Sequence, residues 1–428
     1  RPGSNGRDGW PIINTCGFTL IAPGRHSYTA YWPRDFAMSL DSGFITPEEM
    51  GSVQAALLII PYFSMLHLGV FHGLNRNLAF YFGQGNREKG LMMVNASAFI
   101  ARTTAWIGAL AGLGLVACAL LKQNSNMITV AAGVAAALAL YCTPYITHIS
   151  TTNRSGQHFH AYGKIVFISN ILRLVYSSLP VIAGWIGYVA ALALQPLITV
   201  GLLKAKEPYP AEKRFQWADL GELIKVGFPI MVVGYFTNLL MVADQTFIAL
   251  YMPKERLGHY VLAKLIMQAM IIIPATLSIL ISPKVASCYG ETGSARSLRK
   301  YFWAFFWLHV AFIVPVCALA YVAVGPLVHW LLPRYIPGIA AAKITILTCL
   351  TFVAKGAFVI TATMRKNTAM IILHGAGLAA MWLIGILMFE FGQPSLEHVA
   401  WLRFWMSLVV SVGLLGYGLY MTREGAAC

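Results

Sequence analysis

The stretch HLGVFHGLNRNLAFYFGQGNREKG, residues 67–90, separates two long apolar runs and determines how the rest of the chain is divided. It contains five glycines and three cations, Arg76, Arg87 and Lys89. Such a stretch is too polar and too rich in glycine to be a helix embedded in lipid. The sequence therefore predicts a polar hinge between two membrane helices, with an ordinary connecting loop as the alternative.

The overall composition is that of a polytopic membrane protein. Of the 428 residues, 58% are hydrophobic and 11% are charged, with a mean hydropathy of +0.66, whereas soluble domains carry about a quarter charged residues. Much of the net charge of +15 follows from membrane topology, so it does not call for a nucleic-acid partner. The cysteines have no metal-binding spacing, and we predict no metal site.

Apolar runs of about 20 residues, the length that crosses a bilayer, predict eleven transmembrane helices. They lie at 51–71, 88–121, 127–147, 164–181, 183–204, 222–251, 257–287, 299–331, 337–363, 367–391 and 398–421. The predicted domains are a fragment 1–50, an N-terminal lobe 51–204, a cytoplasmic linker 205–221, a C-terminal lobe 222–421 and a cytoplasmic tail 422–428. With five helices before the linker and six after it, we expect one helix to be missing from the first lobe.

Residues 1–50 differ from the rest because they are rich in Gly and Pro and contain no run that could cross a bilayer. The piece YTAYWPRDFAMSLDSGFITPEE resembles the sugar-binding segment of six-hairpin glycoside hydrolases, with Trp32, Arg34 and Asp35 at the matching positions. Hydrolysis needs two carboxylates held at a set distance, which fifty residues cannot position. We therefore expect an inactive fragment, joined at FITPEEMG by fusion or by sequence assembly, on a chain that lacks a signal peptide.

The loop cations predict the orientation in the membrane. Fourteen Lys and Arg residues lie on the side of the 67–90 stretch, the central linker and the C-terminus, against five on the other side. These three segments are therefore predicted to be cytoplasmic, and residues 1–50 would lie outside.

Some charged residues lie inside the apolar runs, where a charge is costly and usually faces a cavity. The cations are Arg102, Arg173, Lys264 and Lys355. Two come from each lobe, so a cavity between the lobes would be cationic and would suit a phosphate or pyrophosphate. Snorkelling toward the headgroups is the alternative for the first three, whereas Lys355 lies deepest in its run.

Asp244 is the main acidic residue within an apolar run. It would either take up a proton or cation during a transport cycle or neutralise a neighbouring cation. Arg403 lies near a helix end and is predicted to be interfacial, and His67 is predicted to be packed or interfacial.

Two separated stretches resemble the polysaccharide-biosynthesis flippases of the multidrug/oligosaccharidyl-lipid/polysaccharide exporter superfamily. The 67–90 stretch is similar to the junction of their second and third helices, and ELIKVGFPIMVVGYFTNLLMVADQTFIALYMPKERLGHYVLAK is similar to the start of their second half. The resemblance covers about residues 46–421 and implies an all-α membrane protein with two helical lobes around a central cavity. Asn77 and Gln245 depart from it, since an acidic residue and Arg are usual there.

The resemblance implies a flippase, not an enzyme, that moves undecaprenyl-pyrophosphate-linked sugar repeat units across the bacterial inner membrane by alternating access. It implies no cofactor, coupling to H⁺ or Na⁺, a monomer, and no nucleic acid. The partners would be lipid-linked oligosaccharide, membrane lipids, a polysaccharide polymerase and glycosyltransferases. Two alternatives are a multidrug cation antiporter, which would want an acidic cavity, and a membrane-anchored glycosidase.

The same resemblance suggests roles for single residues. Asp244 would couple to an ion, and Arg76 with Asn75 would form a cytoplasmic gate or contact lipid headgroups. The substrate would be held by the cations Arg102, Arg173, Lys264 and Lys355.

Overall fold

The computed structural model describes residues 45–121, 126–210, 215–272, 294–364 and 367–424. Between 272 and 294 it also describes residues 274–275, 277–278, 285, 288–289 and 292. Throughout these residues the regular secondary structure is helical, and no strand occurs in them. The helices, numbered α1 to α14, are Pro47–Leu57, Ile59–Phe63, Val70–Gly83, Arg87–Leu121, Met127–Ser155, Phe159–Tyr176, Leu179–Lys204, Trp217–Tyr251, Lys254–Met270, Arg299–Leu331, Ile339–Cys349, Lys355–Thr363, Asn367–Glu390 and Leu396–Glu424. Short 3₁₀ helices adjoin them at Ala295–Leu298, Pro333–Gly338 and Leu350–Ala354. The positions Trp32, Arg34 and Asp35 lie outside the described residues.

The described part of the chain contains eight helical segments that are long and apolar enough to cross a membrane. They are α4, α5, α7, α8, α10, the segment through α11 and α12, α13 and α14. Large apolar side chains such as Leu110, Ile182 and Val322 are exposed on them, as expected of helices whose outer faces meet lipid. The predicted all-α membrane fold is confirmed, and eight of the eleven predicted helices correspond to these segments.

The predicted helix at 51–71 is wrong as a single element. The chain forms α1 and α2, loses helical geometry after Phe63, and resumes as α3 at Val70. Leu68 and Gly69 have left-handed φ angles of 48° and 80°, a conformation that interrupts a right-handed helix. This break contains His67, which therefore precedes α3 instead of closing a continuous span.

The stretch 67–90 was predicted to be a polar hinge or a connecting loop, but more than half of it forms the helix α3. The helix buries Val70, Leu74 and Leu78 completely, and a tight turn with Gly85 at φ 77° leads into α4. Its polar residues face other helices, so polarity there is compatible with helix formation. The polarity of this stretch was misleading because it was judged as if its side chains would contact lipid, whereas they contact other helices.

The helices pack as two halves, which we define as the first half (α1–α7) and the second half (α8–α14). A large core in the second half is built around Phe247, Phe302 and Phe305. A core in the first half includes Val53 and Tyr188. The halves meet where α1 crosses α9 and where α3 crosses α8, and these crossings border the site described next.

Candidate functional site

A cavity of about 190 Å³ lies between the two halves. Its walls come from α1 to α5 in the first half and from α8 and α9 in the second. Four basic residues line it, His67, His72, Arg154 and Lys264, together with amide and hydroxyl side chains. Among the residues that the structure describes, no Asp or Glu lines this cavity. The charges of Arg154 and Lys264 give this concave site a positive potential that attracts anions.

Lys264 reaches across the boundary between the halves. Its ammonium on α9 donates a hydrogen bond to Gln54 Oε1 on α1 at 2.6 Å. Gln54 Nε2 in turn donates to the Tyr188 hydroxyl on α7 at 2.9 Å. The Gln54 oxygen is neutral, so this bond positions the ammonium at the cavity wall without neutralising it.

Arg154 is one of the fourteen cations that the orientation argument assigned to cytoplasmic loops, but it lies in the last turn of α5 and lines the cavity. The predicted helix ended at residue 147, whereas α5 continues to Ser155. Arg154 Nε donates to the carbonyl oxygen of Ser150 at 3.2 Å. The hydroxyl of Ser155 donates to Asn75 Oδ1 at 2.9 Å and ties α5 to α3. The arginine therefore emerges from a helix end that is fixed by its neighbours.

The break before α3 places two histidine rings together at the cavity. The ring centroids of His67 and His72 are 5.5 Å apart, and the Gly69 N–H donates to His67 Nδ1 at 3.0 Å. His67 therefore lines the cavity while its ring packs against Phe71 at 4.9 Å between centroids. No sequence signal pointed to this position, because it depends on the left-handed turn at Leu68 and Gly69.

The four cations predicted to share one cavity are not brought together. Lys264 lines the central cavity, whereas Lys355 lines a second cavity within the second half. Arg173 is buried on α6, where it donates to Asn170 Oδ1, and Arg102 is exposed on α4. Of the predicted gate residues, Asn75 lines the central cavity, and Arg76 follows it on α3 outside the described cavity lining.

Asp244 forms a buried ion pair with Arg403, which joins α8 to α14. The Tyr260 hydroxyl donates to Asp244 Oδ2 at 2.8 Å, and the Gln245 N–H donates to Oδ1 at 2.8 Å. Arg403 was predicted to be interfacial, but it is only 3% exposed. A buried charge must be paired because water no longer solvates it. Asp244 therefore neutralises a neighbouring cation, as one of the two predictions had it, but that cation is Arg403 and not one of the four predicted cavity cations.

A polar cluster joins the halves beside the turn between α3 and α4. Lys89 on α4 forms an ion pair with Asp219 on α8. Asn77 Nδ2 and the Tyr81 hydroxyl, both on α3, donate to Glu222 Oε1 at 3.1 and 2.7 Å. Asn77, which stands where the resembled flippases usually have an acidic residue, thus donates a hydrogen bond to a carboxylate of the other half.

Glycines allow very close helix contacts at both crossings. A Cβ on Gly51 of α1 would lie 1.7 Å from the Lys254 carbonyl oxygen, and one on Gly258 of α9 would lie 1.7 Å from the Pro47 oxygen. At the α3–α8 crossing, a Cβ on Gly227 would lie 2.0 Å from the Gly69 carbonyl oxygen. Only glycine lets these backbones approach so closely.

Among solved structures, the fold is similar to transporters of the multidrug/oligosaccharidyl-lipid/polysaccharide (MOP) superfamily. An inward-facing multidrug resistance transporter of the multidrug and toxic compound extrusion (MATE) family aligns at 13% identity with a TM-score of 0.65, covering 98% of this chain and 97% of its own. A MOP superfamily transporter from Pyrococcus furiosus, described as having a binding pocket of reverse polarity that suggests a different function, aligns at 13% identity with a TM-score of 0.64, covering 97% of each chain.

A MATE transporter in complex with MaD5 aligns at 12% identity with a TM-score of 0.62, covering 96% of both chains. No protein-family model matches the sequence, and no curated protein sequence matches it. The chain has the fold of MOP-superfamily transporters, a helical membrane fold built around a central cavity.

Proposed function

We propose that the chain is a flippase for lipid-linked oligosaccharides, moving undecaprenyl-pyrophosphate-linked repeat units across a membrane by alternating access. The observation that supports this most directly is the central cavity, which has basic residues and no carboxylate in its described lining. A pyrophosphate carries negative charge on several oxygens, and Arg and Lys bind such groups by charge-assisted hydrogen bonds.

The remaining polar lining suits the sugar part of the substrate. Amides of Asn238 and Gln268 and the hydroxyl of Thr151 offer neutral donors and acceptors in the lining. Alternating access requires one half to rock against the other around a fixed site. The cavity lies between two halves that meet at the α1–α9 and α3–α8 crossings, and a site placed between two halves is what such a motion requires.

The competing function with the same fold is the export of cationic drugs. The MATE neighbours favour it, since one of them is described as a multidrug resistance transporter. The lining of this cavity disfavours it, because a cationic drug would meet Arg154 and Lys264 without a described carboxylate to neutralise it. The Pyrococcus furiosus neighbour, with its reverse pocket polarity, is the relevant comparison for such a cavity.

The protein would act as a monomer in the inner membrane of a bacterium, with its C-terminus in the cytoplasm, beside a polysaccharide polymerase and glycosyltransferases. It would use no cofactor, and H⁺ or Na⁺ would drive transport through Asp244. Because Asp244 is paired with Arg403, the incoming ion would have to displace the guanidinium, which makes the pair a candidate coupling step.

The test is transport by the full chain reconstituted in liposomes, with a fluorescent polyprenyl-pyrophosphate sugar as the probe. Arg154→Gln and Lys264→Gln should each lower the flipping rate about tenfold or more, since one charge-assisted contact contributes about 1.5–3 kcal/mol. Arg334→Gln removes an exposed cation outside the cavity and should leave the rate unchanged. Unaltered flipping in both cavity variants, or export of cationic dyes without flipping, would refute the proposal.

A further inference from the structure

A second cavity lies wholly within the second half of the chain. It measures about 70 Å³ and is lined by residues of α8, α9, α13 and α14 and of the segment through α11 and α12. None of its described lining residues also lines the central cavity. We propose that this cavity is a binding site for a small inorganic anion, separate from the proposed substrate site.

Three basic side chains line this cavity, Lys355, His374 and Arg403. The charge of Arg403 is offset by its ion pair with Asp244. Lys355 lies over the ring of Phe358 at 5.6 Å, and its described contacts include no carboxylate. A cation within a membrane protein requires a counter-charge or a specific partner, so the cavity has an excess positive charge that an anion would balance.

Hydroxyl groups complete the potential ligand shell. Ser407 and Ser411 follow Arg403 at four-residue steps on α14, so the three residues share one face of the helix. All three line the cavity. The threonine hydroxyls at the cavity already donate to carbonyl oxygens of their own helices, as Thr237 does to Val233 at 2.8 Å. The serines and the basic groups are therefore the described donors best placed for a ligand.

The size of this cavity favours a ligand smaller than the proposed substrate. Its volume is about 70 Å³, against about 190 Å³ for the central cavity. A small inorganic anion suits the smaller space, and chloride is the probe that we choose.

Binding of ³⁶Cl⁻ to the purified full chain, measured by equilibrium dialysis at constant ionic strength with gluconate as the replacing anion, tests the proposal. The wild type should contain one saturable chloride site that depends on Lys355. Lys355→Met should weaken binding about tenfold or more, because a charge-assisted contact is lost. Ser411→Ala, which leaves the charge and the helix intact, should weaken it by a smaller factor.

The matched control is Lys264→Met, which removes a cation from the central cavity and should leave the Lys355-dependent chloride site unchanged. Loss of binding in that variant but not in Lys355→Met would place the anion in the central cavity and overturn the proposal. Absence of saturable binding to the wild type would overturn it as well. Because both lysines are half-buried and Met has a similar volume without the charge, both variants are expected to fold.

Discussion

Replacing Gly227 by alanine should open the crossing of α3 and α8. The added Cβ would lie 2.0 Å from the carbonyl oxygen of Gly69 and 2.6 Å from the backbone nitrogen of Gly73. Both atoms belong to the backbone, so no side chain can rotate away. To reach an ordinary contact of 3.4 Å, the two helices must separate by about 1.4 Å along that line.

Such overpacking typically costs about 1–3 kcal/mol. This free energy destabilises only the closed state, in which α3 and α8 are in contact. In the open state the two helices are apart and the clash is absent. The equilibrium between the two states should therefore move toward the open one by a factor of about 5 to 150. The same substitution adds helix propensity to α8, which is worth about 0.5–1 kcal/mol and does not depend on the crossing.

The assay is the labelling of a single reporter cysteine in the cavity wall. Thr151→Cys, at a position only 2% exposed, is introduced into a full chain whose seven native cysteines are replaced. The rate of reaction with a membrane-impermeant maleimide then follows the population of the open state. Gly227→Ala should raise this rate by the factor given above.

Gly221→Ala is the matched control on the same helix. A Cβ at Gly221 meets nothing within 4 Å, so this variant carries the helix-propensity gain without the clash. Labelling in Gly227→Ala that is no faster than in Gly221→Ala would refute the idea that the glycine contact holds this crossing closed.

Two further predictions concern the buried charges. Arg403→Met should lower the free energy of unfolding by about 3–5 kcal/mol, because Asp244 stays buried without its ion partner. Adding Asp244→Asn should recover most of that loss in denaturant unfolding of the purified protein, and no recovery would contradict the assigned pair. Lys89→Met removes the ion partner of Asp219 across the two halves, at a cost of about 1–3 kcal/mol. It should speed labelling of the cavity cysteine, whereas Arg87→Met, at an exposed position in the same turn, should not; equal rates would argue against a role in closing the halves.

The long membrane helices could be predicted from the sequence because the cause is local. A run of apolar residues of sufficient length must satisfy its own backbone hydrogen bonds in lipid, and a helix does so without any partner. The predicted helices at 88–121, 222–251 and 299–331 accordingly agree with α4, α8 and α10 to within five residues at each end. The length and position of the apolar runs were therefore enough to predict these three helices.

The sequence argument failed where polar residues contact other helices. The stretch 67–90 was judged too polar to be a helix embedded in lipid and was predicted to be a hinge, yet it contains α3, whose Asn77 and Tyr81 donate hydrogen bonds to Glu222 of α8. The partner lies about 140 positions away in the chain, so local polarity could not reveal it. Likewise, Arg154 was missed as a cavity residue because the apolar run ended before the helix did.

The sequence by itself determined that this is an all-α membrane protein, and it identified the charged residues that need an explanation. Only the tertiary structure decided which of those charges face a common space. Arg102 faces outward, Lys264 and Lys355 line different cavities, and Asp244 is paired with Arg403. The physical reason is that the environment of a buried charge is set by helix crossings between distant segments. Their geometry depends on backbone contacts at a few glycines, which hydropathy does not record.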